Sequence, residues 1–181
     1  MGVADRVGRR GVRWGFLLAW MGLAIAIVLV ALLPGTREGE GPSVLLILPG
    51  GQERAFSLRE IERLPALQRA GEYQNQYGNW RDAGIYTSVR LTDLIGEGVS
   101  YESIHIIASD GYTVDIERAR VEDEAFPLVL AYAFDGVKVP AWSDGFRIAV
   151  LPESGRVGNV DYGATSAGSF WVKNIARIVL Q

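Results

Sequence analysis

The sequence predicts a strand-rich α+β domain that is preceded by one transmembrane helix. Residues 43–181 contain short apolar runs separated by glycine turns, with signals for short helices between them. An uncharged apolar run occupies residues 14–33 and differs from everything that follows it. The chain has 181 residues, 49% of them hydrophobic, which is enough for one folded domain with its own core.

The composition excludes several kinds of functional site. The sequence contains no cysteine, so disulfides, thiolate metal sites, iron–sulfur clusters and cysteine nucleophiles are excluded. A zinc site rich in histidine, or a Ser-His-Asp triad, would depend on His105, the single histidine. A net charge of −3 argues against a nucleic-acid partner, because nucleic-acid-binding domains usually carry a basic surface.

Residues 14–33 predict a transmembrane helix. At about 1.5 Å per residue, a helix of this length spans roughly the 30 Å hydrocarbon core of a bilayer. Residues 1–13 form a basic N-terminus whose four arginines are Arg6, Arg9, Arg10 and Arg13. The positive-inside rule then places the N-terminus in the cytoplasm and the following domain outside, as a single-pass protein of the cell membrane.

A cleaved signal peptide is the main alternative for this apolar run. A signal peptide has a shorter apolar region, of about 7–15 residues, and ends at a cleavage site with small residues. Here the run is longer and ends in Ala31-Leu32-Leu33-Pro34-Gly35, so the sequence favours an anchor that is not cleaved.

Residues 34–42 form a polar linker, and residues 43–181 form the outer domain. The sequence Ser57-Leu58-Arg59-Glu60 is a helix capping box, and Gly96 ends a second short helical run over 91–95. We expect residues 79–84 to be a loop and residues 166–169 to be a flexible loop, because both are rich in small and polar residues. Strands are expected over residues 43–48, 53–56, 67–76, 103–108, 112–116, 128–134, 146–151 and 175–180.

Residues 73–81 combine amides, aromatic rings and Arg81 in nine positions. Such a mixture suits a polar or ring-shaped ligand, through hydrogen bonds and stacking. In the alternative interpretation, which we favour from these residues alone, the Asn and Gln side chains satisfy the backbone of their own loop. His105 is expected to be a packed or half-exposed residue of a strand.

A series of motifs, taken in order, resembles the molybdopterin-binding domain of the sulfite oxidase family. The family pattern has a Cys-x-Gly-Asn turn, G-x-x-x-G-V-x-L-x-D-L-L, A-S-D-G-Y, L-A-Y-x-x-N-G-x-x-L-P and a terminal V-K-W-I-x-x-I. The matching segments are 78–79, 84–86, 89–95, 108–114, 130–132, 135–140 and 170–175. The resemblance covers residues 43–181, is closest to small stand-alone members, and implies the sulfite oxidase-like fold.

The resemblance also implies a set of cofactor-binding positions and one important departure. In catalytic members a cysteine thiolate ligates molybdenum, and the alignment places Gln76 at that position. Glutamine is a neutral, hard ligand and does not replace a soft thiolate. The stretch 141–146 also departs from the family's His-Gly-Gly-Pro pattern. The positions that the resemblance assigns to a molybdopterin or another ligand are Gln76, Asn79, Arg81, Asp110, Tyr112 and Arg147.

Three functions follow as hypotheses. The first is a membrane-anchored extracytoplasmic domain without molybdenum catalysis that binds a small polar ligand or a partner protein. The second is a molybdopterin-dependent oxidoreductase subunit that passes electrons to a separate redox partner, since this chain has no haem or iron–sulfur motif. The third is a scaffold or assembly subunit of a membrane complex. The sequence by itself requires no cofactor, and molybdopterin is the one that the resemblance implies.

Overall fold

Two β-sheets with short helices at the ends of strands make up residues 41–181, the part of the chain that the computed structural model describes. The predicted N-terminus, the predicted transmembrane helix and residues 34–40 of the linker lie outside the described residues. Within residues 41–181, no helix is both long enough and apolar enough to span a bilayer.

The elements of the described chain are short and follow one another closely. The strands are β1 (Ser43–Ile47), β2 (Glu53–Ser57), β3 (Ala66–Gln74), β4 (Trp80–Arg90), β5 (Ser103–Ala108), β6 (Thr113–Glu117), β7 (Leu128–Phe134), β8 (Val137–Lys138), β9 (Arg147–Val150), β10 (Arg156–Val157) and β11 (Ile175–Leu180). The helices are α1 (Leu58–Ile61), α2 (Leu91–Ile95) and α3 (Arg118–Val121), and a 3₁₀ turn covers Ala167–Phe170.

The first sheet has the strand order β2-β1-β11-β5-β6. Strand β1 runs parallel to β11, and the other neighbours are antiparallel. In β1 the apolar residues alternate, so that Val44 and Leu46 are buried while their neighbours are more exposed. Because β1 and β11 come from the two ends of the domain, their pairing closes the fold.

The second sheet has the order β10-β3-β4-β7-β8, and β9 pairs with β7 on the same sheet. Strand β7 is buried along almost its whole length, which explains why its sequence is continuously apolar rather than alternating. One hydrophobic core joins the two sheets, with Ile104 and Ile178 from the first and Leu130 and Ile148 from the second.

The structure confirms the strand-rich α+β class and the predicted helix signals. The Ser57 amide donates to the Glu60 carboxylate at 2.8 Å, and the Glu60 amide donates to the Ser57 hydroxyl at 3.4 Å, which completes the capping box of α1. Gly96 ends α2 with a φ of 86°, a value that glycine adopts at little cost.

Two loop predictions were wrong. Residues 80–84 belong to β4, because this strand carries a bulge that accommodates the turn-like residue Asp82 within a ladder. Residues 167–170 form the 3₁₀ turn rather than a flexible loop, since Ala167 is buried and Gly168 lies directly against the Tyr73 ring.

Candidate functional site

Arg147 lies at the centre of a buried ionic cluster. Its side chain is only 1% exposed, and its guanidinium donates to one carboxylate oxygen of Asp82 and, at 3.0 Å, to one of Asp144. The Lys173 ammonium lies 3.0 Å from the Asp144 carboxylate and 3.8 Å from that of Asp82. We call these four residues the Arg147 cluster. Two cations face two anions, so the cluster is neutral.

A bulge in β4 brings Asp82 to Arg147. Gly71 pairs with Gly84 and Tyr73 pairs with Arg81, so two residues of β4 lie opposite one residue of β3. Asp82 has a φ of 55°, in the left-handed region, which aspartate tolerates better than most residues. The bulge therefore turns the Asp82 carboxylate toward the core side of the sheet.

Aromatic rings surround the guanidinium of Arg147. Its central carbon lies 5.3 Å from the centre of the Trp171 ring and 5.9 Å from the centres of the Tyr73 and Tyr86 rings. The hydroxyl of the buried Tyr86 donates to the Asp82 carbonyl at 2.7 Å, and this hydrogen bond stabilises the bulge. These rings exclude water from the arginine and strengthen its attraction to the two carboxylates.

The protonation states in this cluster are firmly set. Burial by itself raises the pKa of Asp82, but the hydrogen bond and the charge of Arg147 outweigh it, and the pKa is lowered overall. Burial raises the pKa of Tyr86 far above its usual value, and burial together with the charge of Asp82 raises the pKa of Tyr73. At neutral pH Asp82 is therefore ionised and both tyrosines are protonated, so none of them is poised to exchange a proton.

Two buried donors of this region have no hydrogen-bond partner among the described residues. They are the Nε of Arg147 and the indole Nε1 of Trp171. Buried donors normally find an acceptor, so each of these groups has spare capacity for one. The Arg147 cluster is consequently neutral in charge but not saturated in hydrogen bonds.

The structure distributes the sequence-predicted residues over three places. Gln76 and Asn79 lie at the exposed tip of the β3–β4 hairpin, and Arg81 lies on the exposed side of β4. Arg147 lies in the buried cluster, beside the bulge of the same hairpin close to its turn. The remaining two residues lie on the other sheet, in the turn between β5 and β6.

That turn contacts the region of the cluster through one hydrogen bond. Asp110 accepts the amide of Tyr112 at 2.9 Å, which shapes the turn. The Tyr112 hydroxyl donates to the carbonyl of Ser169 at 3.2 Å, in the 3₁₀ turn that packs against Tyr73. Tyr112 thus supports the surroundings of the cluster, while Asp110 is exposed and organises its own turn.

The amide side chains of the hairpin tip largely hold the tip itself. The Asn75 side chain accepts the amides of Tyr77 at 2.9 Å and Asn79 at 3.0 Å. Asn159, from a neighbouring loop, makes two hydrogen bonds to the hairpin. Its side chain donates to the Asn75 carbonyl at 2.9 Å, and its backbone amide donates to the Gln74 side-chain oxygen at 2.9 Å. The interpretation that these amides satisfy backbone groups is confirmed for Gln74 and Asn75.

Sequence reasoning missed Asp82, Asp144 and Lys173 as partners of Arg147. A signal for them was present, because an arginine in the apolar run 146–151 requires a counterion if that run is a buried strand. Asp144 lies three residues before Arg147 and was the accessible candidate. Asp82 lies 65 residues away, and no local pattern points to it.

These residues do not fit a molybdopterin held as the family resemblance implies. Gln76, which aligns with the metal-binding cysteine, is exposed at the hairpin tip. Arg147 is already paired with two carboxylates and is inaccessible to a phosphate group. Four surface cavities, with volumes of about 260 to 390 Å³, are lined by residues other than the six predicted ones.

Among residues 41–181, no three His, Asp or Glu side chains come together in a group that could hold a metal ion. The carboxylates of the Arg147 cluster are instead committed to the arginine and the lysine.

Comparison with known proteins gives a structural likeness only. No family model matches the sequence, and no curated protein gives a significant match to it. The crystal structure of the sulfane dehydrogenase SoxCD from Paracoccus pantotrophus superposes with a TM-score of 0.57 at 14% sequence identity. The match covers 77% of this chain and 38% of that one. It supports a distant sulfite oxidase-related fold, in agreement with the motif order, and shows the fold alone.

Proposed function

We propose that this chain is a membrane-tethered domain that binds a partner protein through the tip of the β3–β4 hairpin and carries out no molybdenum chemistry. One observation carries the proposal. Tyr77 is 78% exposed, yet it lies on a turn that the Asn75 and Asn159 side chains hold in place. An exposed aromatic residue on a fixed turn is typical of a binding surface.

The neighbouring loop extends this surface. Asn159 bridges the loop to the hairpin, and its side chain also accepts the amide of Ala167 at 2.8 Å. Val160, the next residue, is 91% exposed. We define the tip surface as Gln76, Tyr77, Asn79, Arg81 and Val160. Apolar, amide and cationic groups together suit a protein partner, since interfaces combine aromatic anchors with arginine and polar contacts.

A protein fits this surface better than a small polar ligand. Gln76, Asn79 and Arg81 are exposed on a projecting hairpin, whereas small ligands are usually enclosed by a cavity. A fixed turn also loses little conformational entropy on binding, which favours affinity on an open surface. The two amides and the arginine would then supply hydrogen bonds around Tyr77.

Residues 14–33 supply the tether in this proposal. Their length and lack of charge support a transmembrane helix, and the preceding arginines support an extracytoplasmic orientation of residues 43–181. A domain held at one membrane meets membrane-bound partners at a high effective concentration. A weak interface at the tip surface would therefore be sufficient.

Photo-crosslinking in the native cells tests the proposal. A photoreactive amino acid replaces Tyr77 in the full chain, and Glu97, an exposed residue of the turn after α2, provides the control position. We expect the chain to remain in membranes after an alkaline wash and to give one discrete adduct from position 77 only. The double substitution Asn79→Ala and Arg81→Ala should reduce that adduct at least severalfold.

Two outcomes would contradict the proposal. Equal labelling from positions 77 and 97 would mean that the hairpin tip has no special partner. A discrete adduct that survives the double substitution unchanged would mean that the polar groups of the tip surface take no part in binding.

A further inference from the structure

We infer that Asp82 blocks an anion-binding position on Arg147, so that this domain is closed to an oxyanion which the same arginine would otherwise hold. The family resemblance assigns Arg147 to cofactor binding, but this arginine is buried and already paired with two carboxylates. This observation does not depend on the partner protein proposed above. In this domain the anion that pairs with Arg147 is the carboxylate of Asp82, and not a bound ligand.

The guanidinium has the capacity for an oxyanion. Arginine presents five N–H donors in a planar fork that matches a sulfate or a phosphate in two-point contact. In Arg147 one terminal nitrogen is taken by Asp82 and the other by Asp144, while Nε has no partner among the described residues. The indole N–H of Trp171 is a second buried donor without an acceptor there, and its ring lies 5.3 Å from the guanidinium carbon.

Asp82 is the more exposed of the two carboxylates on the guanidinium. Its side chain is 30% exposed, while that of Asp144 is 19% and that of Arg147 is 1% exposed. Asp144 is held independently, because it also receives the Lys173 ammonium at 3.0 Å. Removal of the Asp82 charge alone therefore leaves Arg147 and Lys173 against Asp144, with one excess positive charge.

Lys173 defines where an incoming anion would enter. Its side chain is 46% exposed and its ammonium lies 3.8 Å from the Asp82 carboxylate. An oxyanion that replaced this carboxylate would contact Arg147 on its inner side and Lys173 on its outer side. The class of ligand is thus a small tetrahedral oxyanion, and inorganic sulfate is the probe.

Equilibrium dialysis of the full chain in detergent with radiolabelled sulfate tests this inference, with ionic strength held constant by sodium gluconate. The variant is Asp82→Gly, which removes both the charge and the side chain from the anion position and suits a φ of 55°. Asp135→Gly is the matched control, because Asp135 also has a positive φ of 47° and accepts a backbone amide, from Ile85, at 2.8 Å.

We expect Asp82→Gly to bind sulfate saturably, at least tenfold more tightly than the original chain and the Asp135→Gly control. Adding Lys173→Gln to Asp82→Gly should weaken that binding severalfold. Asp82→Ser, which is neutral and smaller than aspartate, takes the place of Asp82→Gly if the glycine variant does not fold.

The inference is overturned if the original chain binds sulfate as tightly as the folded Asp82 variant, or if the folded variant does not bind it. Binding that Lys173→Gln leaves unchanged would also overturn it, because the anion would then lie outside the Arg147 cluster.

Discussion

Arg147 lies in a strand whose other residues, Ile148, Ala149 and Val150, are all buried and apolar. A buried guanidinium is strongly unfavourable unless carboxylates pair with it, and the two that do so come from different parts of the chain. Asp144 belongs to the segment just before β9, whereas Asp82 lies in the bulge of β4. The Arg147–Asp82 ion pair therefore links the bulge of the hairpin to β9.

Substitution of Asp82 should reveal this contact as a loss of stability. We expect Asp82→Asn to lower the free energy of unfolding by about 1–3 kcal/mol at pH 7, the range for hydrogen bonds to charged groups. Because the folded-state pKa of Asp82 is lowered, its contribution is complete above the unfolded pKa of about 3.9 and is lost as the pH falls through the folded pKa.

Urea unfolding of the full chain between pH 7 and pH 2 measures both effects. The stability difference between the original chain and Asp82→Asn should be constant near neutrality and shrink below about pH 4. Asp135→Asn serves as the control and should show little difference across the range. A pH-independent difference for Asp82→Asn would contradict the assignment of the contact to charge.

The β3–β4 hairpin is the element that joins the buried cluster to the exposed tip surface. On its buried face near the bulge, Tyr73 and Tyr86 pack beside Arg147, and Gly168 approaches so closely that an added Cβ would lie 2.4 Å from the Tyr73 ring. At the turn itself, Asn159 hydrogen-bonds the hairpin to the loop that contains it. The turn end of the hairpin is thus supported by two sets of contacts, and its exposed residues project from a fixed frame.

Asn159→Ala should make the turn of the β3–β4 hairpin more mobile without changing the Arg147 cluster. The substitution removes the donor to the Asn75 carbonyl and the acceptor of the Ala167 amide, so the amides of Tyr77 and Asn79 should exchange with solvent faster by about tenfold. Hydrogen exchange measured by mass spectrometry on peptides of the tip follows this change.

Asn79→Ala is the matched control for this experiment, since it removes an exposed amide from the same turn. Its exchange rates should stay close to those of the original chain. Equal exchange in Asn159→Ala and the original chain would show that the turn is held by its own hydrogen bonds, without the neighbouring loop.

The sequence predicted the strands better than it predicted β4 and the site. Apolar alternation or continuous burial marks β1, β5, β7 and β11, and these periodicities survive in the folded chain. Residues 80–84 were assigned to a loop because Asp and Gly usually mark turns, and a bulge uses the same residues within a strand. Arg147 was identified as a cofactor-binding candidate, but one of its two carboxylate partners, Asp82, lies 65 residues away and no local rule finds it.

At the scale of the whole molecule, two sheets enclose one core and resemble a distant sulfite oxidase-related fold. The match covers 38% of the sulfane dehydrogenase chain, so the likeness concerns one part of that protein. The motif resemblance aligns Gln76 with the metal-binding cysteine of the sulfite oxidase family, and Arg147 is paired with two carboxylates of this chain. Both features agree with the proposed binding role without molybdenum chemistry.

Molybdenum and pterin content per polypeptide tests that account most directly. The full chain is purified from its native cells, and a molybdenum enzyme from the same cells is purified in parallel to show that the cofactor is supplied and retained. The account predicts far less than one molybdenum and one pterin per chain. Close to one of each would contradict it and would establish that this scaffold holds the cofactor without a cysteine ligand.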